Sequence, residues 1–115
     1  MTFDTLGLHP SVLKALTDLG FESPTPIQEK VIPHVLSDSR DMVALAETGT
    51  GKTAAFGLPI LSRIDLTEKR PQALVLCPTR ELCLQIAKDL RSFSRHMSDP
   101  GILALYGGAA YGPQI

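Results

Sequence analysis

One segment of the sequence carries residue types whose spacing could bind a phosphate group. It fits the pattern of a phosphate-binding loop, with alanine at the first position in place of glycine: Ala46-Glu47-Thr48-Gly49-Thr50-Gly51-Lys52-Thr53. Gly49 and Gly51 let the backbone turn so that successive N–H groups point at phosphate oxygens. Lys52 can reach the β- and γ-phosphates, and the Thr53 hydroxyl can hold Mg²⁺. The segment therefore predicts nucleotide binding, with Lys52 and Thr53 also serving catalysis.

The same segment could instead be a glycine-rich turn that carries a solvated lysine. By chance, such a pattern arises in on the order of one chain per hundred of this length. Its surroundings also fit a phosphate loop, because an apolar run precedes it and a helical pattern follows it. Nucleotide binding is therefore the favoured interpretation.

Apolar runs that alternate with helical patterns would position this loop. The runs predict three short buried strands, at residues 42–46, 73–77 and 102–106. Periodicity and capping residues predict helices that begin near Pro10, Thr25, Lys52 and Thr79. Because strands that alternate with helices usually pair in parallel, we expect an α/β fold with a parallel sheet.

The composition excludes several classes of protein. The 115 residues include 11 Lys and Arg and 12 Asp and Glu, a net charge of -1, so the chain does not coat nucleic acid by charge alone. With 43% apolar and 20% charged residues, it has the composition of a soluble globular protein. Two cysteines are too few for a disulfide framework, and the first residues lack the features of a signal peptide. We therefore expect a cytoplasmic protein.

Four motifs, in order along the chain, resemble those of the DEAD-box ATP-dependent RNA helicases. Residues 21–28 resemble the Q motif of that family, with Phe3 as its isolated upstream aromatic residue. Residues 46–53 match motif I, including its alanine, and Pro78-Thr79-Arg80-Glu81-Leu82 matches motif Ia. Gly107-Gly108 resembles the double-glycine segment. The resemblance covers essentially the whole chain and is closest to bacterial cold-shock-type members.

The resemblance implies a RecA-like P-loop fold, with ATP and Mg²⁺ as cofactors. Residues 1–38 would form a helical Q-motif region, and residues 39–115 the N-terminal part of the first RecA-like domain. The intact protein would use ATP hydrolysis to unwind or remodel RNA. It would close this domain and a second RecA-like domain over the RNA backbone, with no membrane involved.

Gln28 is the residue to which the resemblance assigns adenine recognition. A side-chain amide offers one donor and one acceptor, which suits the N6/N7 edge of adenine. Thr25-Pro26-Ile27-Gln28 is also a capping-box sequence, in which Gln28 would only bond the backbone at the start of a helix. The residues alone leave both roles open. The resemblance favours adenine recognition and packs Phe21 on the base, although Phe21 could equally be a core residue or a hydrophobic staple.

Motif Ia and the double glycine are the parts to which the resemblance assigns RNA contacts: Pro78, Thr79, Arg80, Gly107 and Gly108. At a helix start, Thr79 and Arg80 offer a hydroxyl, a guanidinium and exposed N–H groups, which together suit an anion. Such contacts hold the RNA backbone without reading bases. The alternative is that Thr79 is a plain N-cap and that Arg80 pairs with an acidic neighbour.

The family's Asp-Glu-Ala-Asp and Ser-Ala-Thr motifs are absent from these residues, as is the second RecA-like domain. The carboxylates of the first motif hold Mg²⁺ and position the attacking water. Loss of an arginine finger from the second domain alone can cost about 10³–10⁵ in rate. We therefore expect a fragment that binds nucleotide weakly, neither hydrolyses ATP nor unwinds RNA, and is only marginally stable without later strands.

Two other functions are compatible with the phosphate loop. One is a different P-loop enzyme, such as a GTPase or a small-molecule kinase. The Asn-Lys-x-Asp segment of a guanine reader is absent, which favours adenine. The other is a non-catalytic nucleotide-binding module.

Overall fold

Helices make up the regular structure of the residues that the computed structural model describes, which are 2–37, 40–46, 51–98 and 100–106. A 3-10 turn at Phe3–Thr5 precedes four helices: α1 (Pro10–Asp18), α2 (Pro26–Ser37), α3 (Lys52–Arg63) and α4 (Arg80–Phe93). Each lies where the sequence predicts a helix. Of the helices in the described ranges, none is long and apolar enough to cross a membrane.

Three of these helices begin with a side chain that caps the first turn. His9 Nδ1 accepts a hydrogen bond from a backbone N–H at the start of α1 (3.1 Å), and Thr79 Oγ1 does so for α4 (3.1 Å). Thr25 Oγ1 accepts a longer bond at the start of α2 (3.4 Å). The N-cap of α3 is Gly51, which has no side chain to offer. The first N–H groups of α3 are therefore left without a side-chain acceptor.

The cap at Thr79 gives a first testable prediction. Replacing Thr79 by alanine should destabilise the start of α4 by about 1 kcal/mol, because the N–H of Leu82 loses its acceptor. Backbone amides in the first turn of α4 should then exchange their hydrogens about fivefold faster, as measured by mass spectrometry on the full-length protein. Thr79→Ser keeps the hydroxyl and is the control. Equal exchange rates in the two variants would contradict the capping role.

The core forms where α3 packs against the other three helices. Its largest fully buried side chains come from α1, α2 and α3: Leu16, Ile32, Leu58, Val12 and Pro59. Phe3, Leu6 and Leu8 close it from the N-terminal segment, and Phe93 from α4. Residues 2–37 and residues 51–98 thus share one hydrophobic core, which fixes the start of α3 relative to α2 and α4.

Helix α3 continues through two residues that usually weaken helices. Gly57 and Pro59 lie inside it, and both are buried. At Gly57 the neighbouring helix comes so close that an added Cβ would lie 2.7 Å from Leu90 Cδ2. Packing against α4 therefore favours a small residue here and offsets the low helix propensity of glycine.

The prediction of three buried strands at residues 42–46, 73–77 and 102–106 is not confirmed by the described residues. None of these segments is assigned as a strand, and the parallel sheet is not confirmed. Six of their large apolar side chains are between 52% and 89% exposed: Val43, Leu45, Leu74, Leu76, Leu103 and Leu105. In the two later segments these leucines alternate with half-buried residues, which is the period of a β-strand. A strand also needs a neighbour to pair its N–H and C=O groups, and the described residues supply none.

Candidate functional site

A cavity of about 610 Å³ lies beside the start of α3. Five of the predicted nucleotide-binding residues line it: Phe21, Gln28, Gly51, Lys52 and Thr53. The volume falls within the roughly 300–1,000 Å³ of small-molecule sites. Two sequence segments that were predicted separately, the Q motif and the end of the phosphate loop, therefore meet at one cavity.

Of the other residues of the predicted phosphate loop, only Ala46 lies within the described ranges. Ala46 is half-buried and is not among the residues that line the cavity. Thr48, Gly49 and Thr50 lie outside the described residues. The start of α3 itself is suited to an anion, because its N–H groups have no side-chain cap and carry the positive end of the helix dipole. Lys52, the first residue of α3, adds an exposed positive charge.

Gln28 links the start of α2 to the phosphate loop. It is 2% exposed. Its Oε1 accepts a hydrogen bond from the Thr25 N–H (2.9 Å), and its Nε2 donates one to the Gly51 carbonyl oxygen (3.2 Å). The capping box that the sequence allowed is therefore present. A carboxamide can make four hydrogen bonds, so one lone pair and one N–H of Gln28 are still available to a ligand.

Phe21 is held between two other aromatic rings. Its ring centroid lies 6.1 Å from that of Phe3 and 5.9 Å from that of Phe93, the latter in an edge-to-face arrangement. The side chain is 38% exposed and lines the cavity. Phe21 therefore lies at the edge of the apolar core, in contact with two of its rings, and keeps an accessible surface on the cavity side.

One wall of the cavity comes from residues that the sequence did not assign to a site. Helix α4 contributes a stripe with helical spacing: Leu82, Gln85, Ile86, Asp89, Ser92 and Phe93. Phe56 contributes from α3. The only signal in the sequence is the periodicity of α4, which marks a packed face without saying what it faces.

The predicted RNA-binding residues lie at the start of α4. Pro78, Thr79 and Arg80 are exposed, and Thr79 caps the helix as the alternative interpretation held. The Arg80 guanidinium carbon lies 5.0 Å from the centroid of the Tyr106 ring. No salt bridge within the described ranges involves Arg80, so the acidic partner considered for it is not found there. Gly107 and Gly108 lie outside the described residues.

The segment that ends at Tyr106 runs back along α4 towards its first turn. Arg91 Nη2 donates a hydrogen bond to the Ile102 carbonyl oxygen (3.3 Å) near the end of the helix. Cys83 Sγ donates to the Leu105 carbonyl oxygen (3.7 Å) near its start. These contacts place Tyr106 beside motif Ia, and the double glycine follows Tyr106 directly in the sequence.

Neither cysteine forms a nucleophilic or metal site within the part of the chain described. Burial raises the pKa of the Cys77 thiol, and the neighbouring Cys83 adds to this effect. A thiol with a raised pKa is less often in the reactive thiolate form. The described residues contain no cluster of three or more His, Cys, Asp or Glu that could hold a metal.

Solved structures show the same arrangement of elements. A DEAD box protein from Methanococcus jannaschii superposes with a TM-score of 0.87 at 40% identity, over 99% of this chain and 31% of that one. Saccharomyces cerevisiae Dbp5, in a structure bound to RNA and ADP BeF3, gives a TM-score of 0.80 at 39% identity, over 84% and 25% of the two chains. These likenesses assign the chain a RecA-like P-loop fold.

The sequence comparison then gives the family. A profile of the DEAD/DEAH box helicases matches residues 25–115, and the chain belongs to this family. The ATP-dependent RNA helicase DeaD of Klebsiella pneumoniae is 54% identical over 114 residues, which are 99% of this chain and 18% of that protein. The chain thus spans about a fifth of the length of such relatives. The resemblance to cold-shock-type DEAD-box proteins is confirmed.

Proposed function

We propose that this chain is the ATP-binding portion of an ATP-dependent RNA helicase, which uses ATP hydrolysis to unwind or remodel RNA. The cavity beside α3 carries the proposal, because it gathers residues suited to a base and to phosphates. The DeaD relatives are named ATP-dependent RNA helicases, and Dbp5 has been captured with RNA and a nucleotide. A cytoplasmic location remains a prediction from the sequence.

The phosphates of ATP would lie at the start of α3. Lys52 would bind the β- and γ-phosphates, and the N–H groups of the loop would bind the remaining oxygens: Ala46, Thr48, Gly49, Thr50 and Gly51. The Thr53 hydroxyl would coordinate Mg²⁺, which commonly takes one or two protein ligands together with phosphate oxygens. The uncapped N-terminus of α3 supports this assignment, since it leaves the donors available. Bound Mg²⁺ would neutralise charge that develops on the transferred phosphoryl group.

The base would lie against Phe21 and Gln28. The exposed surface of Phe21 offers a ring for the base to pack on, and its contacts with Phe3 and Phe93 restrict its motion. The remaining lone pair of Gln28 would accept from adenine N6, and the remaining N–H would donate to N7. Guanine carries the acceptor oxygen O6 where adenine carries the donor N6, so the site should prefer adenine.

RNA would bind through its backbone at the start of α4: Pro78, Thr79, Arg80, Gly107 and Gly108. A second RecA-like domain would close over this surface in the intact protein. We further propose that residues 1–38 and 39–115 are the Q-motif region and the start of the first RecA-like domain. The exposed leucines near residues 43–45, 74–76 and 103–105 support a parallel sheet in that domain, because neighbouring strands would cover them.

Hydrolysis of ATP by the full-length protein tests this function. We expect turnover that single-stranded RNA stimulates, together with separation of a short RNA duplex, and loss of both in Lys52→Ala. The 115-residue chain alone should bind a fluorescent ADP analogue without turning over ATP. Turnover that RNA does not affect, with no duplex separation, would contradict the proposal and favour a different P-loop enzyme.

A further inference from the structure

We propose that Tyr106 is a positioning residue for RNA binding, whose ring holds the Arg80 guanidinium where it can contact an RNA phosphate. The inference rests on the proposed function, because it takes Arg80 as an RNA contact. From the sequence, Tyr106 is only the end of an apolar run, and the structure brings it to motif Ia. The proposal therefore adds a residue that none of the four motifs includes.

The contact between the two side chains has the geometry of a cation–π interaction. The guanidinium carbon lies over the Tyr106 ring, 5.0 Å from its centroid, and such contacts extend to about 6 Å. Arg80 is exposed at the first position of α4. An exposed arginine otherwise samples many rotamers, and binding a phosphate would require it to lose that freedom. The ring restricts the side chain before RNA binds, which lowers this cost.

The contact is compatible with phosphate binding by the same arginine. The five N–H donors of a guanidinium lie in its plane, so a group that meets a ring through its face keeps them for other partners. Within the described ranges, no hydrogen bond or salt bridge from Arg80 to a protein acceptor is found. Its contact there is the Tyr106 ring, which attracts the charge and accepts none of its conventional hydrogen bonds.

Tyr106 has its own anchors, which do not involve Arg80. The preceding residues are tied to α4 by the bonds from Arg91 to the Ile102 carbonyl and from Cys83 to the Leu105 carbonyl. These bonds hold the backbone that leads to Tyr106 against the helix on which Arg80 lies. The two predicted RNA-binding glycines follow Tyr106 in the sequence. The ring thus contacts one of the two motifs proposed to hold the RNA backbone and immediately precedes the other in the sequence.

The test measures the affinity of the full-length protein for a fluorescein-labelled oligouridylate, with Mg²⁺ and a non-hydrolysable ATP analogue. Tyr106→Leu removes the ring and keeps apolar volume, and it should weaken binding about two- to fivefold. Tyr106→Phe keeps the ring and should restore affinity. Lys88→Leu removes a positive charge elsewhere on α4 and is the net-charge control for the Arg80→Leu variant described below. Tyr106→Met is a second variant without a ring, should the leucine variant not fold.

A double-mutant cycle with Arg80 decides whether the ring acts through the arginine. In an Arg80→Leu background, Tyr106→Leu should cause no further loss, because the contact is already gone. An equal loss in both backgrounds, or equal weakening by Tyr106→Phe and Tyr106→Leu, would overturn the positioning role.

Failure of the proposed function would look different. Arg80→Leu should weaken RNA binding and lower the slope of log affinity against log salt by about 0.7, the value for one phosphate contact to a single strand. If Arg80→Leu leaves both affinity and slope unchanged, Arg80 is not an RNA contact, and that part of the proposed function is wrong whatever Tyr106 does. If Arg80→Leu has its expected effect while Tyr106→Leu has none, only the positioning role is overturned.

Discussion

Replacing Gly51 by alanine is expected to lower ATP turnover of the full-length protein about 100-fold, the scale of effect that misplacing a catalytic group by about 1 Å can produce. Gly51 has a φ of 83°, in the left-handed region, which costs a residue with a Cβ about 1–2 kcal/mol. The added Cβ would also overlap Gln28 Nε2. Gln28 is buried and cannot swing into solvent, so the backbone that carries Lys52 would have to move instead.

Substitution of a second glycine separates the effect of backbone strain from the effect of the overlap with Gln28. Gly101 has a φ of 70°, and a Cβ added there would meet nothing within 4 Å. Gly101→Ala therefore has a similar free-energy cost from its positive φ, without the overlap. The affinity of this variant for a fluorescent ADP analogue should stay close to that of the unmodified protein. The measurements that compare Gly51→Ala with Gly101→Ala are the steady-state turnover of ATP and the affinity for the ADP analogue. If Gly51→Ala and Gly101→Ala change turnover and ADP affinity to the same extent, the contact between Gln28 and the phosphate loop does not contribute to ATP turnover.

The helices could be predicted from the sequence because their signals are local. Pro10, Pro26 and Thr79 occupy the first turns where such residues favour a helix start, and the structure places α1, α2 and α4 there. Helix propensity alone does not predict the length of α3, since Gly57 and Pro59 usually weaken a helix. Their tolerance depends on the close contact with α4, which is a tertiary effect that helix propensity does not include.

The strands could not be predicted with the same success, because a strand is defined by its partner. Apolar residues such as Val43 and Leu76 predict burial, whereas both side chains are exposed in the described structure. The partner lies elsewhere in the chain order, and nothing local in residues 42–46 or 73–77 shows whether it is present. The alternating exposure of residues 73–77 keeps the strand period without the pairing.

The residues of the candidate site also fall into two groups, those that sequence motifs indicate and those that depend on how the helices pack. The resemblance to the DEAD-box motifs implied that Phe21, Gln28 and Lys52 serve one ligand, and the cavity brings them together. The wall formed by α4 depends on how α3 and α4 pack, so Gln85 and Phe93 could not be assigned from the sequence. The two interpretations of Gln28 could not be separated for a different reason: a carboxamide has enough hydrogen-bonding groups for both.

Gln28→Glu should reduce the preference for ATP over GTP, expressed as the ratio of their kcat/KM values, roughly 5- to 150-fold. The substitution keeps an oxygen that can accept from the Thr25 N–H, so the cap of α2 is preserved. It removes the Nε2 donor and turns a carboxylate oxygen towards the Gly51 carbonyl. The enzyme then has no donor for adenine N7.

The ratio of the two kcat/KM values is the informative measurement, because any loss of activity that ATP and GTP share cancels in it. Breaking the bond to Gly51 disturbs the phosphate loop for ATP and for GTP alike, whereas loss of the base contact affects ATP alone. Gln28→Ala removes the cap as well as the base contact, so it should lower the ratio similarly and also speed amide exchange at the start of α2. An unchanged ratio in both variants, with faster exchange only in Gln28→Ala, would limit Gln28 to the capping box and leave base selection to other residues of the cavity.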